Sequence, residues 1–190
     1  MGLCKEALLL YRKMKKILKF TLLAFLALAV IIQFIPVTVP ENSEDLSDDL
    51  LQTSILPEEV TYILKTSCYD CHSMQTNYPW YSHLAPASWL VIKDVNDGRE
   101  ELNFTEWNSL SKRKQLKLLN DIAEIVEAKE MPMPIYTVIH RNAILDETDI
   151  SLVVNWAMTT AEEMLEGNDD ATEESVEDEE AENEEGGADQ

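Results

Sequence analysis

The hydrophobic pattern opens with residues 20–39, twenty positions without a charged side chain. As a helix this run is long enough to cross a hydrocarbon layer of about 30 Å. Lys5, Arg12, Lys13, Lys15, Lys16 and Lys19 crowd the chain before it, and acidic residues follow it. Retention of basic residues on the cytoplasmic side then predicts a basic cytoplasmic segment over 1–16, an anchor over 17–39 and an exported remainder. A cleavable export signal has the same grammar. The small-residue triplet Ala27-Leu28-Ala29, however, sits inside the apolar run rather than at its polar end, so a retained single-pass anchor in the cytoplasmic membrane is expected. Met14-Lys15-Lys16 would make a natural start, with the first thirteen residues an upstream extension. Detection of a peptide covering residues 2–13 by mass spectrometry would refute that expectation.

Beyond the anchor the apolar positions recur at helical spacing, and no alternating strand pattern competes. Residues 40–54 are acidic and polar and read as a linker. A helix is expected from about Pro57, with Val60, Ile63 and Leu64 on one face. Residues 76–88 combine proline with aromatics and do not suit regular helix. Helix resumes over 89–97 through Trp89, Ile92 and Val95, with Gly98 placed to stop it. A longer one is expected over 112–129, where Leu116, Leu119, Ile122, Ala123 and Val126 share a face, and Met131-Pro132-Met133-Pro134 breaks it. The last begins at Asp146, an N-cap, and carries Ile150, Val153, Val154 and Ala157 at i, i+3, i+4, i+7. The expected fold is therefore all-α, with one domain over 55–161. After Ala161 the chain turns to Glu, Asp, Asn, Gly and Ala, and a disordered tail over 162–190 is expected.

Charge sharpens this division. The net charge of −21 is concentrated at the C-terminus, where residues 162–189 hold fifteen acidic side chains and no Lys or Arg. Residues 40–161 still carry nine basic against twenty acidic side chains, a net of −11, so nucleic acid is not an expected partner.

The candidate chemistry lies in Cys68-Tyr69-Asp70-Cys71-His72. C-x-x-C-H is the attachment pattern of a c-type haem. On a helical turn the two thiols and the imidazole face one way, so the thiols can bond the porphyrin vinyl groups while the imidazole reaches iron. The only other cysteine, Cys4, precedes the apolar run, so a four-cysteine zinc ribbon is excluded. A thioredoxin-like site would need a strand before the motif, and none is expected. One motif implies one covalent haem c per chain, with His72 as an axial ligand. For the sixth ligand Met131 leads, because its Met-Pro turn suits a loop laying sulfur against iron; Met133 and His140 are the alternatives. Nδ1 of His72 is expected to donate to a carbonyl in the loop 78–86. Trp80, Tyr81, Trp89, Trp107 and Trp156 are candidates to line the haem or the core, and Arg99 and Arg141 to neutralise propionates.

The segments CYDCHSMQTNYPWYSHLAPASW, DVNDGREELNFTEW, MPMPIYTVIHRNAILDETD and VVNWA together resemble the bacterial haem-binding domain family of small membrane-anchored c-type cytochromes. The resemblance covers residues 56–161. It implies a cytochrome c-like helical fold, haem bound at Cys68 and Cys71, His72 as one axial ligand and Met131 as the other. No acid-base or nucleophile constellation suggests an enzyme. The leading expectation is a periplasm-facing mono-haem electron carrier serving redox partner proteins. A haem enzyme or gas sensor with an open or His-ligated distal site, and an accessory subunit of a redox complex, are the alternatives.

Overall fold

A computed structural model describes the backbone of residues 2–184 and the side chains of residues 10–166. Among the described residues there are helices, 3₁₀ turns and loops but no strand, as the sequence periodicity requires. The chain divides into two compact units, one formed by Met1–Glu41 with Asn77–Asn96, the other by Asn42–Thr76 with Asp97–Gln190.

In the first unit α1 (Gly2–Ile31) passes into a 3₁₀ turn at Ile32–Phe34. Among the described residues, the helical stretch Leu10–Phe34 contains a window apolar and long enough to span a membrane, and nearly all of its side chains are exposed. Pro36 explains where the helix stops, because the residue before a proline is driven out of the helical region, and Ile35 is extended at φ −79°, ψ 111°. Gln33 then pairs with the backbone of Ala85 twice, its Nε2 donating to the Ala85 carbonyl at 2.9 Å and its Oε1 accepting from the Ala85 N–H at 3.0 Å. Tyr78 donates its hydroxyl to the Pro40 carbonyl at 2.8 Å. The proline-aromatic stretch holds only a 3₁₀ turn at Trp80–His83 before α5 (Ala87–Glu101) begins, so it is as irregular as its composition suggests.

The second unit holds the core. Here α2 (Leu50–Thr53), α3 (Glu58–Ser67), α4 (Tyr69–His72), α6 (Lys112–Glu127), α7 (Pro134–Ile139) and α8 (Glu147–Glu184) are joined by 3₁₀ turns at Phe104–Ser109 and Arg141–Ala143. The most extensive helix pairing is between α6 and α8, and α3 packs on α8 as well. Leu118, Leu119, Ala123 and Val126 of α6 are buried, as are Ile150, Val153, Ala157 and Ala161 of α8, which fall at three- and four-residue spacing. Leu64 of α3 and Leu119 are wholly buried, each worth about 2 kcal/mol relative to exposure. The helix starts obey the capping rules: Ser111 Oγ accepts from the N–H of Lys114 at the head of α6, and Asp146 accepts from Thr148 and Asp149 while Asp149 accepts back from the Asp146 N–H. The expected disordered acidic tail over 162–190 is corrected over most of its length, because the α8 backbone stays helical through Glu184, as a run rich in the strong helix formers Glu and Ala can; residues 185–190 lie outside the described residues.

Two expected boundaries move. The acidic stretch read as linker is not all spacer, because Asp49 and Leu50 are buried and α2 packs against the 3₁₀ turn Phe104–Ser109. A buried carboxylate needs partners, and Asp49 has three: its Oδ1 accepts from the Leu51 N–H at 2.9 Å and from the Tyr69 hydroxyl at 3.1 Å, and its Oδ2 from the Thr105 hydroxyl at 3.4 Å. Nor does Gly98 end its helix, since α5 continues to Glu101. The reason lies at the site.

Candidate functional site

The apolar face of α3, through Val60, Ile63 and Leu64, anchors the chain that runs into Cys68. At Cys68, φ −124°, the helix breaks. A new turn forms, α4, whose Cys71 and His72 amides both donate to the Cys68 carbonyl, at 3.1 and 2.9 Å. The turn therefore places Cys68, Cys71 and His72 together as their spacing predicts, and the two cysteines are not joined in a disulfide. Burial, with Cys71 adding, pushes the Cys68 thiol up to about 12.

Beneath the turn, Tyr69 stacks on Phe104 at 5.1 Å between centroids and 7° between planes. Phe104 in turn meets the His72 ring edge-on at 6.5 Å. Burial, followed by the Asp49 charge and its hydrogen bond, raises the Tyr69 phenol well above its ordinary value. Ser73 closes the turn: its hydroxyl donates to the Tyr69 carbonyl at 2.7 Å and accepts from the Gln75 N–H at 3.0 Å.

His72 is oriented by α5. Its Nδ1 lies 2.9 Å from the Gly98 carbonyl and 3.2 Å from the Leu102 carbonyl. Carbonyl oxygens only accept, so Nδ1 carries the hydrogen, and in the neutral ring Nε2 holds the lone pair. Burial lowers the His72 pKa, an effect the Leu102 and Gly98 carbonyls oppose. The neutral form required of a metal ligand is thereby favoured. The acceptors are not in the loop 78–86, where sequence reasoning had put them. They sit 26 and 30 residues along the chain from His72, at the end of a helix. That approach requires Gly98 to lack a side chain, because a Cβ there would lie 2.7 Å from the Cys71 carbonyl oxygen and 3.1 Å from the Cys71 Cβ.

Arg99, one residue on, clamps the chain that leaves the motif. Its Nε donates to the Ser73 carbonyl at 2.8 Å, and its Nη2 donates to Thr76 Oγ1 at 2.9 Å and Asn42 Oδ1 at 3.1 Å. Arg141 is exposed. Met131 and Met133 are both partly buried, Met131 in the bend after α6 and Met133 at the N-cap of α7. His140 stands at the other end of α7, its ring stacked on Tyr136 at 4.2 Å and 8°. The α7 segment reaches the motif through the Tyr136 hydroxyl, which donates to Asp70 Oδ2 at 2.8 Å. Trp107 and Trp156 pack in the core. Trp80 is exposed and Trp89 partly buried, and the Trp89 indole N–H has no hydrogen-bond partner among the described residues.

Sequence reasoning did not single out Leu102, Tyr136 or Asp49. Gly98 carried a signal, but a glycine read without its neighbour suggests a helix stop sooner than a close approach.

The donor set is informative. Among the described residues no three His, Cys, Asp or Glu side chains converge to hold a bare metal ion. A group that brings its own equatorial ligands needs only axial ones, and the turn offers an oriented imidazole with two thiols beside it. Fold and turn together define an all-α haem-binding protein. Residues 27–159 match the family model described as a haem-binding domain, and the chain belongs to that family. No curated protein and no solved structure matches the chain.

Proposed function

We propose that this chain is a membrane-anchored c-type cytochrome, facing the periplasm, that transfers electrons through a single covalently attached haem rather than catalysing a reaction. Cys68 and Cys71 would hold the group through thioether bonds, and His72 Nε2 and Met131 would ligate its iron, with Met133 and His140 as the residues to test against Met131. When bound, the haem supplies a one-electron iron couple. The protein's own residues do the rest. Gly98 and Leu102 fix the imidazole tautomer and ring angle, which also raises the basicity of the ligating nitrogen. A methionine sulfur would raise the potential and close the iron to outside ligands, as suits a carrier. The apolar part of the helix within Leu10–Phe34 serves as the anchor.

The observation that carries this reading is the pair of carbonyls on His72 Nδ1, which leaves the other nitrogen as the ligating one. Spectra of the purified ferric protein beside Met131→Ala, Met133→Ala and His140→Ala test it. Low-spin six-coordinate iron that becomes high-spin only in Met131→Ala is expected. High-spin five-coordinate iron in the unsubstituted protein would count decisively against a closed electron carrier. Attachment is checked separately, because haem that extracts into acid acetone from the unsubstituted protein is not thioether-bound.

A further inference from the structure

We propose that Tyr136 is a positioning residue for the sixth ligand: its hydrogen bond to Asp70, inside the attachment motif, holds the Met131–Met133 segment in register with the turn that bears His72. This rests on the Met/His reading above.

Six residues of α7 are too few to persist as a helix without tertiary support. Burial does not supply it, because none of the α7 residues is buried and Ile135, Val138 and Ile139 are exposed by 56, 63 and 61%. The polar contact is the stronger tie. The phenol of Tyr136 meets a carboxylate at 2.8 Å in a partly buried setting, and hydrogen bonds to ionised groups are about twice as strong as neutral ones. Asp70 is fixed in turn, since it lies between Cys68 and Cys71 on a turn whose amides close on the Cys68 carbonyl. At the other end, the Tyr136 N–H donates to the Met133 carbonyl at 3.0 Å and that of Thr137 to the same oxygen at 3.2 Å. A hydrogen-bonded path thus leads from the attachment turn through Asp70 and Tyr136 to Met133, two residues from Met131. The stacking of Tyr136 on His140 holds that histidine within the same assembly.

The test is a double-mutant cycle of Tyr136→Phe, Asp70→Asn and the pair on the full-length holoprotein, with imidazole as the competing ligand. Phenylalanine keeps the ring that stacks on His140 and removes only the hydroxyl. Imidazole binding to ferric iron is followed through loss of the methionine-to-iron charge-transfer band, and global stability through thermal unfolding. Tyr136→Phe is expected to tighten imidazole binding about tenfold, the worth of one hydrogen bond to a charged group. Asp70→Asn, whose amide oxygen still accepts from the phenol, should tighten it less, and the pair should go little further than Tyr136→Phe alone. A purely structural tyrosine would lower the unfolding temperature and leave imidazole affinity within about twofold, which overturns the positioning role alone. A ferric spectrum of the unsubstituted protein without the methionine band overturns the Met/His reading, and the positioning role with it.

Discussion

Replacing Gly98 by alanine separates two effects of opposite sign. In an ordinary helix interior the change stabilises by about 1 kcal/mol, since alanine is the better helix former. Here the added Cβ would stand 2.7 Å from the Cys71 carbonyl oxygen, where ordinary van der Waals contact begins at 3.4 Å. The obstacle is backbone, so it cannot swing aside as a side chain would. Relief needs α5 and the attachment turn to part by about 0.7 Å along that line. A shift of that size along the His72 to Gly98 hydrogen bond would stretch it from 2.9 Å to about 3.6 Å, beyond useful length. Overpacking of this kind costs about 1–3 kcal/mol, and the weakened hydrogen bond about 1 kcal/mol more. Set against the helix gain, the net expectation is a loss of about 1–3 kcal/mol, a fall in Tm on the order of 5–10 °C. Urea unfolding of the purified full chain measures the first, and the fraction of chains carrying haem reports the second consequence, a misdirected imidazole. Asn96→Ala, an exposed position two residues earlier on α5, is the control and should be neutral or mildly stabilising. A Gly98→Ala variant at least as stable as Asn96→Ala, with haem loading unchanged, would refute the close approach.

Other perturbations follow from the buried polar cluster. Asp49→Ala strands the Tyr69 and Thr105 hydroxyls and removes the cap of α2, so a loss of about 2–4 kcal/mol in urea unfolding is expected; a change below about 0.5 kcal/mol would mean that the cluster contributes little. Because the folded-state pKa of Tyr69 is raised, its contribution is intact below the unfolded tyrosine value of about 10 and declines as pH rises through that value toward the folded one. Stability measured from pH 8 upward should therefore fall beyond about pH 10, and less steeply in Tyr69→Phe, despite that variant's lower starting point; parallel pH curves would dispose of this linkage. Arg99→Leu should speed amide exchange in residues 73–76, the segment its guanidinium clamps, and unchanged exchange there would show that the clamp is not needed.

Much of the helical frame was legible in the sequence because its signals are local. Asp146 caps the helix it precedes, and the three- and four-residue spacing picked out Leu119, Ala123 and Val126 of α6 and Ile150, Val153 and Ala157 of α8, all buried, though it missed the buried Leu118. The grouping of Cys68, Cys71 and His72 was legible for the same reason, since one helical turn sets their separation. The partners of that turn were not legible. Asp49 sits among acidic residues whose composition suits a solvated linker, and nothing near it announces that Tyr69, twenty residues on, will take its charge into the core. Gly98 looked like a stop because the same residue type serves helix ends and close approaches, and only the Cys71 backbone, 27 positions away, distinguishes them. The helix at the apolar N-terminal run ended early because Pro36 acts on Ile35, a boundary that hydropathy averages over.

These long-range partners divide unevenly between the two axial positions proposed for iron. On the His72 side the ring is held redundantly, by the Gly98 and Leu102 carbonyls, by Phe104 at its edge and by the Arg99 clamp on the chain that follows. On the Met131 side the segment hangs from a six-residue helix with an exposed apolar surface, joined to the motif through the Tyr136 to Asp70 hydrogen bond. Support from groups at the buried core makes local opening costly, and a short helix with exposed apolar side chains makes it cheap. Loss of one ligand should therefore precede loss of the fold, with the sulfur leaving first and the imidazole remaining until global unfolding. In a denaturant titration of the ferric protein, the methionine band should disappear at a lower concentration than the helical signal, and Tyr136→Phe should widen that gap while Gly98→Ala narrows it by lowering the second transition. Coincident loss of both signals in all three proteins would mean that the two sides are equally secured, and the inequality read from the contacts would be wrong.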